Sequence, residues 1–226
     1  MMSRDEFVAA LRLVGEGRYH HLHPFHVRMN RGELSPEAIR LWVANRFYYQ
    51  KNIPVKDAAL ISNCSEREVR RIWLHRIVDH DGRTGKEGGI EAWLRLAEAC
   101  GLSRDQLSTD ALLVPGARFS VDAYVRFVQT HPWPVAIASS LTEMFAPDLM
   151  AERLAAFRKY YTWIPDWGFD YFEGRVIQAR TDSSEALDLT LTWCCTPEMQ
   201  EQALGSLRFK CDVLWSLLDA IDAAAS

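Results

Sequence analysis

No apolar run in this sequence approaches the roughly 18 residues that a membrane-crossing helix needs, which excludes a helical membrane span. The opening residues, MMSRDEFVAALR, are charged and amphipathic, so no secretory signal is expected and the chain reads as cytoplasmic. A surplus of positive charge is missing too. Lys and Arg number 26 against 30 Asp and Glu, a net charge of −4, so nothing global attracts nucleic acid or an anionic membrane. The 5 cysteines (Cys64, Cys100, Cys194, Cys195 and Cys211) lack metal-ligand spacing, and the adjacent Cys194 and Cys195 make a poor disulfide. Free thiols in a reducing compartment are the expectation. Glu-x-x-His, the spacing by which helical di-iron proteins hold their metals, occurs nowhere, which argues against a carboxylate-bridged metal site. No stretch alternates with period two between hairpin turns, so a sheet is not expected. Neither a repeat nor a low-complexity linker divides residues 1–226, and the chain reads as a single all-α domain.

What is present is helical punctuation. Ser3 to Glu6 has capping-box form and opens the apolar run Phe7 to Val14, which is expected to stop at Gly15. Ser35-Pro36-Glu37 supplies an N-cap, a first-turn proline and an acid, and starts a helix to about Ser62 with a kink at Pro54. Ser65 to Glu68 reads as a second capping box, for a helix ending near Asp81-Gly82. Further helices are expected from Gly88-Gly89 to Cys100-Gly101, around Phe119 to Gln129, and over Pro134 to Phe145 and Pro147 to Arg158. Two more follow over Gly168 to Arg180 and Ser183 to Thr192, and a last one from Thr196-Pro197-Glu198 to about Asp222.

Charge lies on the apolar stripes of these helices. Leu207, Lys210, Leu214 and Leu217 share a face, so Lys210 points inward, where an ammonium must meet an anion or lose its proton. Trp42, Arg46, Tyr49, Gln50 and Ile53 form a second such face, with Lys56 a turn further on. Trp73, Arg76, Ile77 and His80 form a third. Tyr171 and Arg175 are spaced to reach one point, Arg153 follows Leu149 and Met150, and Glu143 lies a turn beyond Ser139 and Ser140. Taken singly, each is an ordinary buried ion pair or a snorkelling side chain. Together, the inward cations Arg46, Lys56, Arg76, Arg153, Arg175 and Lys210 face one obvious inward acid, Glu143. A bundle core holds that imbalance only with an anionic guest, and arginine forks suit a small molecule with several carboxylates. Tyr49, Tyr124 and Tyr171 give the pocket aromatic walls. The cluster His20, His21, His23 and His26 reads either as a metal or haem ligand set or as helix-end hydrogen bonders.

The blocks WVANRFYYQ, IP-x-KDAA, RI-x-DHDG, GGIEAWLRL, PG-x-RF-x-VDAYV, SSLTE-x-FAP and FKCDVLW, in order from about Tyr19 to Asp219, resemble the pyrroloquinoline quinone synthase family. The resemblance implies a compact seven-helix bundle like haem oxygenase, without haem, and a homodimer. It implies ring closure and eight-electron oxidation of a tricarboxylated quinoline precursor by dioxygen, releasing hydrogen peroxide and pyrroloquinoline quinone without metal or organic cofactor. By position, Tyr19, His20, Arg46, Gln50, Lys56, Arg76, Tyr124, Glu143, Arg153 and Lys210 would line the substrate site, with His20 and Lys210 close to the chemistry. His80 matches the general base and acid, and Tyr171 and Arg175 the pair that holds dioxygen and peroxide beside it. An imidazole near neutrality can move protons, and a cation stabilises reduced oxygen.

One departure stands out: Met150 in FAPDLM occupies a position where the family commonly has histidine, and methionine transfers no proton. Two alternatives follow from the residues. One is another enzyme on this fold, haem-dependent through the His20–His26 cluster or hydrolysing thiamine through a cysteine. The other is a carrier that binds the quinone without oxidising it.

Overall fold

A computed structural model of the chain describes the backbone of residues 1–226 and every side chain except those of residues 147 and 176–182. The expected all-α class holds: among the described residues there is no strand, only one isolated bridge between Arg83 and Lys86. The helix number differs from the seven expected. Eleven α-helices and three 3₁₀ segments build the domain. No helix among the described residues is long and apolar enough to cross a membrane.

Helix α1 (Arg4–Arg18) starts on the Ser3–Glu6 capping box, as its sequence predicts, but runs past Gly15. That glycine is there for packing. A Cβ on it would sit 1.9 Å from the Phe145 ring. A 3₁₀ turn (His20–Leu22) and α2 (Pro24–Arg31), capped by the His23 side chain, carry the histidine cluster. The long α3 (Pro36–Asn63) begins on Ser35 and absorbs Pro54, whose missing N–H releases the Gln50 carbonyl from the helix ladder. The proposed Ser65–Glu68 box does not form. Helix α4 (Arg67–Asp81) starts one residue later, and the Ser65 hydroxyl donates to the Glu66 carboxylate instead, at 3.1 Å.

Helices α5 (Gly89–Ala99), α6 (Arg104–Ser108, with a Ser103–Gln106 box) and α7 (Pro115–Thr130) follow. The single helix expected from Pro134 is two pieces: α8 (Trp133–Ala138) tightens into a 3₁₀ segment (Ser139–Phe145). Ser139 Oγ donates to the Ala136 carbonyl at 2.6 Å, the local competition by which serine disturbs a helix. After α9 (Ala146–Tyr160) and a 3₁₀ turn (Asp166–Phe169), α10 (Asp170–Trp193) runs unbroken where two helices were expected. Neither proline nor glycine falls between Arg175 and Trp193 to end it. Thr196 caps the last helix, α11 (Pro197–Ala225).

The core is aromatic and aliphatic, with Trp42, Trp73, Trp93, Phe157, Phe172 and Leu207 essentially inaccessible. Helix α3 packs on α4, α5 and α7, and α11 packs on α1, α7, α8 and the 3₁₀ segment at Ser139. Helix α10 packs on α5, α8 and α9. The inward charges lie where these groups of helices meet.

Candidate active site

An internal cavity of about 50 Å³ is lined by Tyr19, His20, Arg46, Tyr49, Ile53, His80, Thr142, Glu143, Ala146, Met150, Tyr171, Arg175 and Leu214. Seven elements contribute. That volume holds only about one or two waters, well short of the ~300–1,000 Å³ usual for a ligand pocket. A tricyclic guest therefore requires these walls to move apart.

The inward cations are inward. Lys56, Arg76, Arg153 and Lys210 are at most 3% exposed, and the Arg175 side chain is 13% exposed; Arg46 is half-buried. Each is held differently. Arg76 pairs with Glu143, and Arg175 lies 3.9 Å from the same carboxylate. Burial pushes the Glu143 carboxyl up, but Arg76 and Arg175 outweigh it and keep the group below the usual carboxylate range. Arg46 stacks over the Tyr49 ring at 3.7 Å. Arg153 sits over Trp42 at 5.1 Å, and burial lowers its guanidinium to about 10, still charged at neutral pH.

Lys210 is the extreme case. Its Nζ donates to the Tyr49 hydroxyl at 2.5 Å and lies 3.4 Å from the Tyr124 ring centroid. Burial, then Lys56 and Arg46, drive its pKa well below that of a free lysine. Lys56 behaves oppositely. Burial would lower it, but Asp57 at 2.6 Å together with Tyr124 and Glu143 outweighs that, and its pKa is raised.

Asp57 is an acid that the sequence reading missed. It is 0% exposed, accepts the Trp73 indole N–H at 2.7 Å and lies 3.9 Å from Arg76 Nε. The signal was available: Ile53, Lys56, Asp57 and Leu60 follow i, i+3, i+4, i+7 spacing, which puts Asp57 on the buried stripe. Among the described residues the core thus holds two acids, Asp57 and Glu143, with the six inward cations. The cationic surplus persists.

His80 closes α4, and glycines hold it. Gly82 caps the helix at φ +82, and a Cβ on Gly88 would sit 2.4 Å from the His80 carbonyl. The D-H-D-G and G-G motifs therefore bring the loop ahead of α5 against the histidine. Burial first, then Arg175 and Arg76, lower the His80 pKa well below that of free imidazole. At neutral pH the ring is an unprotonated base. Tyr171 accepts a hydrogen bond from Gln50 Nε2 at 2.7 Å and meets Trp93 edge-on. Tyr124 is buried and takes the Ser139 hydroxyl at 3.4 Å.

Among the described residues, His20 Nε2, Arg46 Nη1, Gln50 Oε1, His80 Nδ1, Glu143 Oε2 and Arg153 Nε are buried without a hydrogen-bond partner. Buried polar groups are normally satisfied, so such a concentration around one cavity marks a polar ligand site.

The histidine cluster divides. His23 accepts the Phe25 N–H and lies 3.0 Å from Asp219; His26 bonds the His20 carbonyl through Nδ1 and meets Arg153 through Nε2 at 3.0 Å. His23 and His26 are thus engaged with protein partners, while His20 lines the cavity with its Nε2 unpartnered among the described residues. Among the described residues no three His, Cys, Asp or Glu side chains are grouped to hold a metal. Cysteine chemistry fits no better. No cysteine lines the cavity, and burial raises Cys100 to about 12 and both Cys194 and Cys211 to about 11.

The model of the TENA/THI-4/PQQC family matches residues 8–220, nearly the full length of the helical domain. The chain belongs to that family. Within it, the chain is 54% identical over 224 residues to a pyrroloquinoline-quinone synthase of Pseudomonas aeruginosa, covering 99% of this chain and 89% of that one. A Cronobacter sakazakii protein of the same name is 53% identical with the same coverage. Solved structures show the fold. A Shewanella denitrificans domain with a haem oxygenase-like fold superposes with TM-score 0.80 at 11% identity, covering 99% and 94% of the two chains. A TenA homologue from Pseudomonas syringae gives 0.76 at 14%, covering 98% and 96%.

Proposed function

We propose that this member of the TENA/THI-4/PQQC family is a pyrroloquinoline-quinone synthase, an oxidase that closes and oxidises a tricarboxylated quinoline precursor with dioxygen. One observation carries the reading beyond the relatives' name. Among the described residues, Arg46 and Arg175 line the cavity beside Glu143, the further cations Lys56, Arg76, Arg153 and Lys210 are buried in the core with Asp57, and several buried polar atoms, His20 Nε2, Arg46 Nη1 and His80 Nδ1 among them, have no hydrogen-bond partner. A compact polyanion satisfies both conditions.

In this reading Arg46, Lys56, Arg76, Arg153 and Lys210 hold the carboxylates, with Tyr19, His20, Gln50, Tyr124 and Glu143 hydrogen-bonding the remaining polar edges. A carboxylate beside the Lys210 amine opposes the burial that lowers its pKa, so binding favours the ammonium. His80, neutral before the reaction, takes a proton from a substrate carbon and returns it to reduced oxygen. Tyr171 and Arg175, beside His80, stabilise the negative charge that develops on dioxygen. Met150 offers no proton to these steps, so proton traffic falls on His80 and His20. The same reading carries a cytoplasmic homodimer that works without metal or organic cofactor.

The test supplies the ring-open precursor to metal-stripped protein in an oxygen electrode, with chromatography of the product. Oxygen uptake with quinone and peroxide formation is the expected result. Tight quinone binding without oxygen uptake identifies a carrier, and uptake that needs added iron refutes a cofactorless oxidase.

A further inference from the structure

A second, larger pocket of about 450 Å³ lies outside the first, between α4, α5 and α10. Its inner wall is His80, Tyr171 and Arg175, and those three residues also line the internal cavity. One layer of side chains separates the two spaces. At the neck stands Gly89, where a Cβ would lie 3.4 Å from His80 Nδ1 and 3.8 Å from the Tyr171 ring. His80 is 4% exposed, and its Nδ1, without a hydrogen-bond partner among the described residues, is the nitrogen on this outer side.

The outer pocket differs from the inner one in charge. Arg83, Lys86 and Arg175 are matched by Asp79, Glu87 and Asp170, whereas the inner lining sets Arg46 and Arg175 against Glu143 alone, with Lys56, Arg76, Arg153 and Lys210 also buried in the core. A balanced, half-apolar vestibule gives a polyanion no reason to stop there but does not impede a small neutral molecule. When a precursor fills the inner cavity and its carboxylates face Arg46, Arg153 and Lys210, the His80–Tyr171–Arg175 wall is the side left for a second reactant.

We infer that the pocket between α4, α5 and α10 is the port through which dioxygen reaches the reacting face and hydrogen peroxide leaves it, with His80 Nδ1 as the hydrogen-bonding station at the neck. This rests on the oxidase reading above. Gly174 gives a way to test it without touching the inner residues. It lines the outer pocket, is exposed, and has nothing within 4 Å of where its Cβ would stand.

The experiment measures initial rates over a dioxygen series with the ring-open precursor for wild type, Gly174→Ala, Gly174→Trp and the double variant Gly174→Trp/Ala92→Leu. In parallel it measures quinone affinity and the anaerobic first step. Narrowing the port should lower kcat/KM for dioxygen by about tenfold or more in the double variant. Quinone affinity and the anaerobic step should stay within about twofold, and Gly174→Ala should behave as wild type. An unchanged kcat/KM for dioxygen in the double variant overturns the port. So does an equal loss in Gly174→Ala, since bulk is then not the cause, or a parallel loss of quinone affinity, which would make the pocket part of the precursor's site. Wild type that takes up no oxygen fails the oxidase reading itself. Xenon density under pressure, expected in the outer pocket of wild type and missing from Gly174→Trp, then judges the port separately.

Discussion

Replacing Lys210 by methionine should raise stability and weaken ligand binding in the same protein. The amine is 1% exposed, and its described polar contacts are the Tyr49 hydroxyl and two tyrosine rings, with no carboxylate in hydrogen-bond range. Its pKa is lowered in the folded state by burial and then by Lys56 and Arg46, so holding the amine inside costs stability at neutral pH. Exchanging a buried charge site for an apolar side chain of similar volume gains about 1–4 kcal/mol, against about 1 kcal/mol for the lost bond to Tyr49. The net gain of about 0–3 kcal/mol shifts Tm upward by about 2–4 °C per kcal/mol for a domain this size. Binding should move the other way. Loss of one partner of a buried charge pair costs about 2–5 kcal/mol, so quinone affinity should fall at least about thirtyfold. Calorimetric melts and quinone titrations on Lys210→Met and wild type read both effects. The reasoning fails if Lys210→Met melts well below wild type while binding quinone equally well.

His80→Asn should bind quinone within a few-fold of wild type but turn over about 10²–10⁴ times more slowly, measured by steady-state oxygen uptake; equal rates would remove His80 from the proton transfer. Stability should fall as pH drops below about 6.5. His20, His26 and His80 all have lowered folded pKa values, so the unfolded chain takes up protons first, at up to about 1.4 kcal/mol per pH unit for each histidine. A melting temperature that stays flat from pH 7 to pH 5 would contradict this. Asp57→Asn should destabilise the protein by about 3–5 kcal/mol in chemical denaturation, because Lys56 loses its carboxylate at 2.6 Å. A cost under about 1 kcal/mol would mean that the pair is not what holds Lys56 inside.

The helical class was legible because caps and periodicity are local. Ser3, Ser35 and Thr196 do in the structure what their spacing predicts. Boundaries set by tertiary contact were not legible. Gly15 reads as a helix stop but is a seat for Phe145, and Ser183 reads as a helix start but lies inside α10. The site was legible as misplaced charge on apolar stripes, and the structure brings Tyr19, His20, Arg46, His80, Glu143, Tyr171 and Arg175 to one cavity. Asp57 was hidden behind its neighbour Lys56, and the lowered pKa of His80 depends first on its burial and then on Arg175 and Arg76, which reach it from across the fold and from its own helix.

The most direct test of an oxidase that carries its chemistry on side chains alone is a single turnover begun without oxygen. The metal-stripped protein is mixed anaerobically with the ring-open precursor, spectra are recorded, and dioxygen is then admitted. A bound, deprotonated species should form first and stay stable, then convert to the quinone with peroxide released once oxygen enters. A bound precursor whose spectrum does not change on admission of oxygen would contradict the assignment and leave a binding protein in its place.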